Sequence, residues 1–445
     1  MTDTVLLIGG GGREHAMAAA IVDETGSEPE LFACASNRNP GIDRLAEGYA
    51  TFDVTDPDEV TTYAAEIGAE VAVVGPEAPL EAGIVDALEA EGVFAFGPRA
   101  DEARIETDKA FQRSFMDDHN IPGCPDFAVF DNPDEACAYI DAYDGDLAVK
   151  PTGLTGGKGV RVIGDQVSAE EAKTFIRESE YGSFVLEERL VGEEFTVQAF
   201  VANGDVRVTP AVQDHKRAYE GDEGPNTGGM GSYSAPALAL PFMEEADYHE
   251  AVGIIQETVA AMPDYRGVLY GQFMLTADGV KVIEFNARFG DPEAMNTLPV
   301  MNTPFMDVIA AAREEDELPQ LSFSPRATVC KYAVPSGYPE SPVAGRKLSV
   351  DEGIAEDGLL FFASVEEREH GIYTTTSRSF AVVGIADSIV DAEQQAEATL
   401  AAVGTDGLEV RHDIGTQALV EARIEHMASL RGDAGDELDS PSENA

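Results

Sequence analysis

Glu284, Asn286 and Arg288 stand two apart in the run Lys281-Val282-Ile283-Glu284-Phe285-Asn286-Ala287-Arg288-Phe289-Gly290-Asp291. An apolar strand pattern leads into them, and in a strand positions i and i+2 share a face. Glu284 and Asn286 can therefore grip one hard cation through oxygen, as Mg²⁺ and Mn²⁺ prefer. Arg288 is next on that face, placed to meet phosphate charge. The same pattern also describes a half-buried strand with a satisfied carboxylate and a surface arginine. The rest of the chain must decide between the two.

A second set lies in Val149-Lys150-Pro151-Thr152-Gly153-Leu154-Thr155-Gly156-Gly157-Lys158-Gly159-Val160. A strand ends in Lys150, and a glycine loop carrying Lys158 follows. Backbone N–H groups of such a loop can wrap phosphate oxygens while two ammonium groups meet the charge. It is not a Walker A loop, which would need Ser or Thr where Gly159 stands. The first glycine run, Gly9-Gly10-Gly11-Gly12-Arg13-Glu14-His15, fails the dinucleotide test: the third glycine position falls on Glu14 or His15. The second strand ends Ala35-Ser36-Asn37, with no acidic ribose anchor. A glycine turn before a helix can still hold a phosphate, or simply pack tightly. From Phe184 to Val197, two strand patterns flank a link containing Glu187, Glu188, Leu190 and Glu194. Its backbone can read an adenine edge and its carboxylates can accept from ribose hydroxyls. Acidic loops abound here, so this link alone is a weak signal.

Lysine is scarce. Only Lys109, Lys150, Lys158, Lys173, Lys216, Lys281, Lys331 and Lys347 occur, and four of them (Lys109, Lys150, Lys158, Lys216) fall in or beside these motifs. Against 29 Lys+Arg stand 83 Asp+Glu, a net charge of −54. That excludes a general nucleic-acid binder, whose footprint is basic, and disfavours an anionic membrane surface. The acidity is spread along the chain, which suits a solvated surface in a high-salt cytosol. The cysteines Cys34, Cys124, Cys137 and Cys330 form neither a CxxC pair nor a zinc spacing. They fit a reducing compartment, and with no spanning segment or signal peptide visible the expected location is cytoplasmic.

The 445 residues allow about three domains. Strand patterns at Thr4 to Ile8, Leu31 to Ala35, Val71 to Val74 and Val93 to Phe96 alternate with helical ones near Asp58 to Ile67 and Leu80 to Glu91. This βαβ alternation predicts a parallel sheet up to about residue 100. Asp101 to Asn120 reads as one helix, and an α+β pattern follows to about residue 325. Pro325 to Pro342 reads as a joint rich in Pro, Ser and Gly. Strands near Leu359 to Ala363 and Ser379 to Gly384 and a helix near Asp391 to Ala402 make a smaller unit. Gly271 to Leu275 reads as a strand turning at Ala277-Asp278-Gly279, which sets Gln272 roughly opposite Glu284. Its amide oxygen could then reach the same cation, or bond a neighbouring backbone group.

Lysine strand, glycine lid, acidic hinge and Glu-x-Asn, in this order, resemble the ATP-grasp fold. Several motifs sharpen the match: Gly9 to Ala16, Val74-Gly75-Pro76-Glu77-Ala78-Pro79-Leu80, Asp214-His215-Lys216-Arg217, Gly224-Pro225-Asn226-Thr227-Gly228-Gly229-Met230-Gly231, Phe285 to Glu293, and Asp413-Ile414-Gly415. Together they resemble the phosphoribosylamine–glycine ligase (glycinamide ribonucleotide synthetase) family from about Val5 to about Glu421. The resemblance implies an α/β and α+β multidomain fold. Its parts are a doubly wound parallel-sheet domain over 1–103, an ATP-grasp domain over 104–325 with its lid at 151–160, a small α+β domain over 326–431 and a disordered acidic tail over 432–445.

The family joins glycine to 5-phosphoribosylamine with ATP, through a glycyl phosphate, in purine synthesis. By implication Lys109, Lys150 and Lys158 face the ATP phosphates, the Glu187, Glu188 and Leu190 stretch the adenine, and Glu194 the ribose. Glu284 and Asn286 hold Mg²⁺ or Mn²⁺, and Arg288 steadies the transferring phosphoryl group. Asp214, Lys216, Asn226, Thr227, Gly228, Gly229 and Asp291 line the substrate site, with Gly11, Gly12 and Glu77 from the first domain. The expected partners are small molecules alone, and a monomer is expected. Two positions depart from the family: Pro151-Thr152-Gly153 replaces Ala-Asp-Gly, and Gln272 replaces an apolar residue. A ribonucleotide carboxylase of the same fold should lack the run from Pro225 to Gly231. A nucleotide-sensing scaffold should have lost Lys150, Glu284 or Asn286.

Overall fold

The computed structural model describes residues 3–23, 29–153, 159–350 and 358–438, with side chains to 432. Short Val-, Ile- and Leu-rich runs form a first sheet: β1 (Thr4–Ile8), β2 (Glu30–Ala35), β3 (Gly48–Thr51), β4 (Val71–Val74) and β5 (Phe94–Phe96). All pairings are parallel, in the order β3-β2-β1-β4-β5. Val5 to Ile8 are fully buried, because helices cover both faces. The strand order reverses between β1 and β4. In such sheets ligands bind in the crevice at the carboxyl ends of the strands, beside that reversal. Gly9–Gly12 and Gly75-Pro76-Glu77 leave β1 and β4 at this point. Gly9 has φ +122, and a Cβ there would meet Glu14 at 2.7 Å and Pro76 at 2.8 Å.

The single helix expected over Asp101 to Asn120 is two, Ala100–Thr107 and Lys109–Asp118. Asp108 takes an extended conformation and its side chain accepts from the Phe111 N–H (3.0 Å), ending one helix and capping the next. A four-stranded sheet follows, built from β6 (Phe127–Phe130), β7 (Leu147–Pro151), β8 (Arg161–Val162) and β9 (Phe184–Glu188) in the order β6-β9-β7-β8. The helices Pro133–Ala142 and Ala169–Glu178 pack on it through Ala136, Ile140, Ala172 and Ile176.

The largest element is a ten-stranded sheet. It draws on β10 (Glu193–Ala202), β11 (Asp205–Val208) and β12 (Val212–Asp214). A two-stranded ribbon, β13 (Arg217–Tyr219) and β14 (Glu223–Asn226), interrupts it. It resumes with β15 (Gly231–Ser234), β16 (Gly267–Thr276), β17 (Gly279–Asn286), β18 (Ala327–Pro335) and β19 (Leu359–Phe362). After a second ribbon, β20 (Val365–Arg368) and β21 (Gly371–Thr374), it closes with β22 (Phe380–Ala386) and β23 (Leu408–Val410). The order is β17-β16-β10-β12-β15-β18-β22-β19, with β11 on β10 and β23 on β18.

One expectation is corrected here. The presumed joint from Pro325 to Pro342 contains β18, nine buried residues pairing Gly231–Ser234 on one side and β22 on the other. The sheet therefore runs unbroken from the central region into the C-terminal one. The last helix, Gln417–Leu438, runs past Gly432; residues 439–445 of the expected tail lie outside the described ones.

Candidate active site

A cavity of about 810 Å³ opens where the three regions meet. The first sheet contributes Gly10, Gly11 and Glu77, the central region Lys109, Lys150, Glu194 and Glu284, and the C-terminal region Ser364 and Arg378. Most of the expected site residues stand on its wall.

In the half walled by β16 and β17, antiparallel pairing sets Gln272 opposite Glu284, as the turn at Ala277 to Gly279 predicts. Glu284 and Asn286 lie side by side, the Asn286 amide donating to Glu284 Oε1 at 3.4 Å. Burial works against ionisation of Glu284, yet Lys216, Lys109 and Lys150 outweigh it and hold the carboxyl at about 2. It is an anion ringed by cations, with hard oxygen donors beside it. That donor set fits a divalent ion accompanied by phosphate oxygens. Among the described residues no group of three His, Cys, Asp or Glu forms a self-sufficient metal cage. Among the described residues the Gln272 side chain bonds two side chains and no backbone group. Its Oε1 accepts from Lys216 at 2.5 Å and its Nε2 donates to Glu194 at 2.8 Å.

Lys150 Nζ donates to Glu187 at 2.7 Å and to the Ile283 carbonyl at 3.1 Å. Both Glu187 oxygens are engaged, because Arg113 grips them at 2.7 and 2.9 Å. Burial opposes the Glu187 charge, but Arg113 and Lys150 keep its pKa below the ordinary range. Glu187 thus aims Lys150 rather than reaching outward. Lys109 donates to the Gly153 carbonyl at 2.7 Å. Glu188 and Leu190 line the wall. Lys158 lies outside the described residues.

In the other half, Asp214 and Glu293 face Lys216 and Arg378. Burial and Glu293 together push the Asp214 carboxyl well above its ordinary value, and Asp214 Oδ1 is buried without a hydrogen-bond partner. Tyr270 donates to Glu293 at 2.8 Å. Asn226, Thr227, Gly228 and Asp291 line the cavity. Gly229 and Gly12 sit behind its wall instead: a Cβ on Gly229 would meet Asp214 and Pro292 at 2.7 Å, and one on Gly12 would meet Tyr332 at 2.5 Å. The glycine turn at Gly11 does not offer all its amides to a phosphate, because the Gly11 N–H donates to Glu14 at 2.7 Å.

Arg288 is held by Glu106 at 2.8 Å and stands 3.6 Å from Glu77, while its Nε is buried with no hydrogen-bond partner. Burial pushes the Glu106 carboxyl up to about 7 in spite of Arg288.

Sequence reasoning missed Glu106, Arg113, Glu293 and Arg378. Arg113 had a readable signal, since it stands one turn after Lys109 on the same helix, whereas Glu106 lies across the break at Asp108. Arg378 had none. It comes from the loop before β22 and donates to the carbonyls of Gly228 (2.6 Å), Gly229 (2.9 Å) and Asp291 (2.9 Å), tying these two loops together.

Comparison with known proteins agrees with this geometry. Residues 3–106 match the N domain of phosphoribosylglycinamide synthetase, 107–294 its ATP-grasp (A) domain and 328–417 its C domain. The chain belongs to the phosphoribosylglycinamide synthetase family. It is 49% identical over 437 residues to phosphoribosylamine–glycine ligase of Methanocella arvoryzae, covering 96% of this chain and 100% of that relative. Its identity to the Methanosarcina barkeri ligase is 50% over 437 residues, with the same coverage. Among solved structures it resembles the Thermotoga maritima phosphoribosylamine–glycine ligase (TM-score 0.77, 26% identity, 92% of this chain and 100% of that one). A biotin carboxylase domain from Hydrogenobacter thermophilus shares the fold alone (TM-score 0.72, 14% identity, 96% and 94%).

Proposed function

We propose that this synthetase joins glycine to 5-phosphoribosylamine, consuming ATP and giving glycinamide ribonucleotide, ADP and phosphate in de novo purine synthesis. One observation carries the reading. A single cavity holds both a phosphate-facing set (Lys109, Lys150, Glu284, Asn286, Arg288) and a set suited to amine and hydroxyl groups (Asp214, Lys216, Asn226, Thr227, Glu293). ATP and the two substrates can then meet without crossing solvent.

A carboxylate is a poor electrophile. Glycine is therefore phosphorylated on its carboxylate by the γ-phosphoryl group of ATP, releasing ADP. The phosphoribosylamine nitrogen attacks the glycyl carbonyl, the C–N bond forms, phosphate leaves and the nitrogen gives up a proton. No protein nucleophile is needed; the chain neutralises charge, positions groups and excludes water. Lys109 and Lys150 meet the phosphates, and Arg288, on the cavity wall, meets the group in transit. Asp214 Oδ1, free and buried, receives an amine. Bound at Glu284 and Asn286, Mg²⁺ or Mn²⁺ would supply Lewis-acid polarisation of the phosphates. Glu188 and Leu190 meet the adenine and Glu194 the ribose. The chain works on small molecules, as a cytoplasmic monomer adapted to salt.

Mixing purified protein with ATP, Mg²⁺, glycine and freshly made phosphoribosylamine should release ADP only when both substrates are present. ADP release at the same rate without glycine, or without the amine, would overturn this function.

A further inference from the structure

The helix Ala100–Thr107 and its successor Lys109–Asp118 lie along β17 and satisfy its free backbone groups in turn. Arg113 donates to the carbonyls of Val282 (3.1 Å) and Ile283 (2.7 Å), and Gln112 donates to that of Phe285 (3.0 Å). Glu106 completes the series past the strand's end. One of its oxygens accepts from the Ala287 N–H at 2.7 Å and the other is 2.8 Å from Arg288 Nη2. The carboxylate is almost wholly buried and reaches no other cation at ion-pair distance among the described residues. It bridges the backbone at 287 to the guanidinium at 288.

We propose that Glu106 is the positioning residue for Arg288, fixing the guanidinium on the cavity wall where the transferring phosphoryl group passes. The proposal rests on the role given to Arg288 above. Its logic is geometric. Arg288 has a long, flexible stem, and the other groups near it hold it loosely: Asn286 Oδ1 accepts at 3.4 Å, the Phe289 carbonyl at 3.2 Å, and Glu77 stands 3.6 Å away. Only Glu106 combines short distance, opposite charge and an anchor on the adjoining backbone. A charge-assisted bond of this kind fixes direction as well as distance. A misplacement of about 1 Å near reacting groups can cost on the order of a hundredfold. Glu106 reaches the cavity wall, but its two oxygens are engaged by the Ala287 N–H and Arg288, so it acts through Arg288.

The test is a double-mutant cycle in the full ligation assay. Glu106→Gln keeps the shape and removes the charge; kcat should fall by about 30-fold, with KM for ATP and glycine changed less than about threefold. Glu106→Asp should recover part of the loss. In an Arg288→Lys background, Glu106→Gln should cost less than about threefold, because the positioned group is already gone. Full activity in Glu106→Gln, or equal losses in both backgrounds, overturns the proposal. If Glu106→Gln does not fold, the same cycle with Glu106→Asp decides by the same criteria. If the wild-type protein makes no glycinamide ribonucleotide, the functional reading fails. Crystal structures of wild type and variant then decide the positioning role, which an unmoved Arg288 guanidinium overturns.

Discussion

At the scale of single residues, Lys216 shows where a cation belongs. Its ammonium stands 2.5 Å from Gln272 Oε1 and 3.9 Å from Glu284 Oε1, between an amide oxygen and a carboxylate on adjacent strands. Two oxygens that converge on one positive group can converge on another, and oxygen pairs of this kind suit Mg²⁺ or Mn²⁺. Gln272→Leu should therefore weaken the apparent metal affinity several-fold and leave the metal-free fold unchanged, whereas Glu284→Ala should cut turnover by about a hundredfold or more. A metal titration of each variant checks this. An unchanged curve for Gln272→Leu would reduce that side chain to a bridge between Lys216 and Glu194. The register behind this prediction was legible in the sequence, because a short turn fixes which residues oppose each other in a hairpin. The lysine that fills the space was legible only as a scarce residue in a motif. Its contact with Gln272 spans 56 positions, which no local pattern encodes.

At the scale of elements, strands with strict apolar runs and loops rich in glycine were legible. β18 was not, because Pro325, Pro335 and Pro342 frame it and mimic a joint, while burial on both faces removes the alternation that marks a half-exposed strand. Neither was the docking of the first glycine turn on the C-terminal region. His15, in the helix Gly12–Ile21, accepts from the Phe362 N–H of β19 through Nδ1 at 2.8 Å and stacks on the Phe362 ring. That bond needs an unprotonated Nδ1, and burial lowers the imidazole from 6.5 to about 4. The unfolded chain therefore takes up the proton first. The stabilisation is complete above pH 6.5 and is lost as pH falls towards 4, by about 3 kcal/mol at most. Urea unfolding across this range should show a steeper acid loss for wild type than for His15→Gln, which can accept the same bond without titrating. Parallel curves would remove His15 from the acid response.

At the scale of the whole molecule, the net charge of −54 is carried mainly by the surface, because several of the few cations are drawn inward against buried acids. Lys331 is fully buried against Glu393 (2.7 Å) and Glu397 (2.5 Å). Arg113 and Arg411 are 1% exposed, and among the described lysines only Lys347 is exposed. Arg113 and Lys150 neutralise the buried Glu187 and add nothing to the surface, so the outer shell is left strongly acidic. Self-repulsion in such a shell is relieved by salt, whose screening length falls from about 10 Å at 0.1 M to about 3 Å at 1 M. The buried pairs are screened far less, so salt should relieve the shell without dissolving the interior network. Tm should therefore rise steadily as KCl increases from about 0.1 to 2 M, and turnover should fall reversibly on dilution into low salt. The charge itself was legible from composition. The inward sorting was not, because only the fold shows which acids each cation meets. A Tm at 0.1 M KCl equal to that at 2 M, with full turnover, would mean that the ion pairs already balance the surface and that salt adaptation is absent.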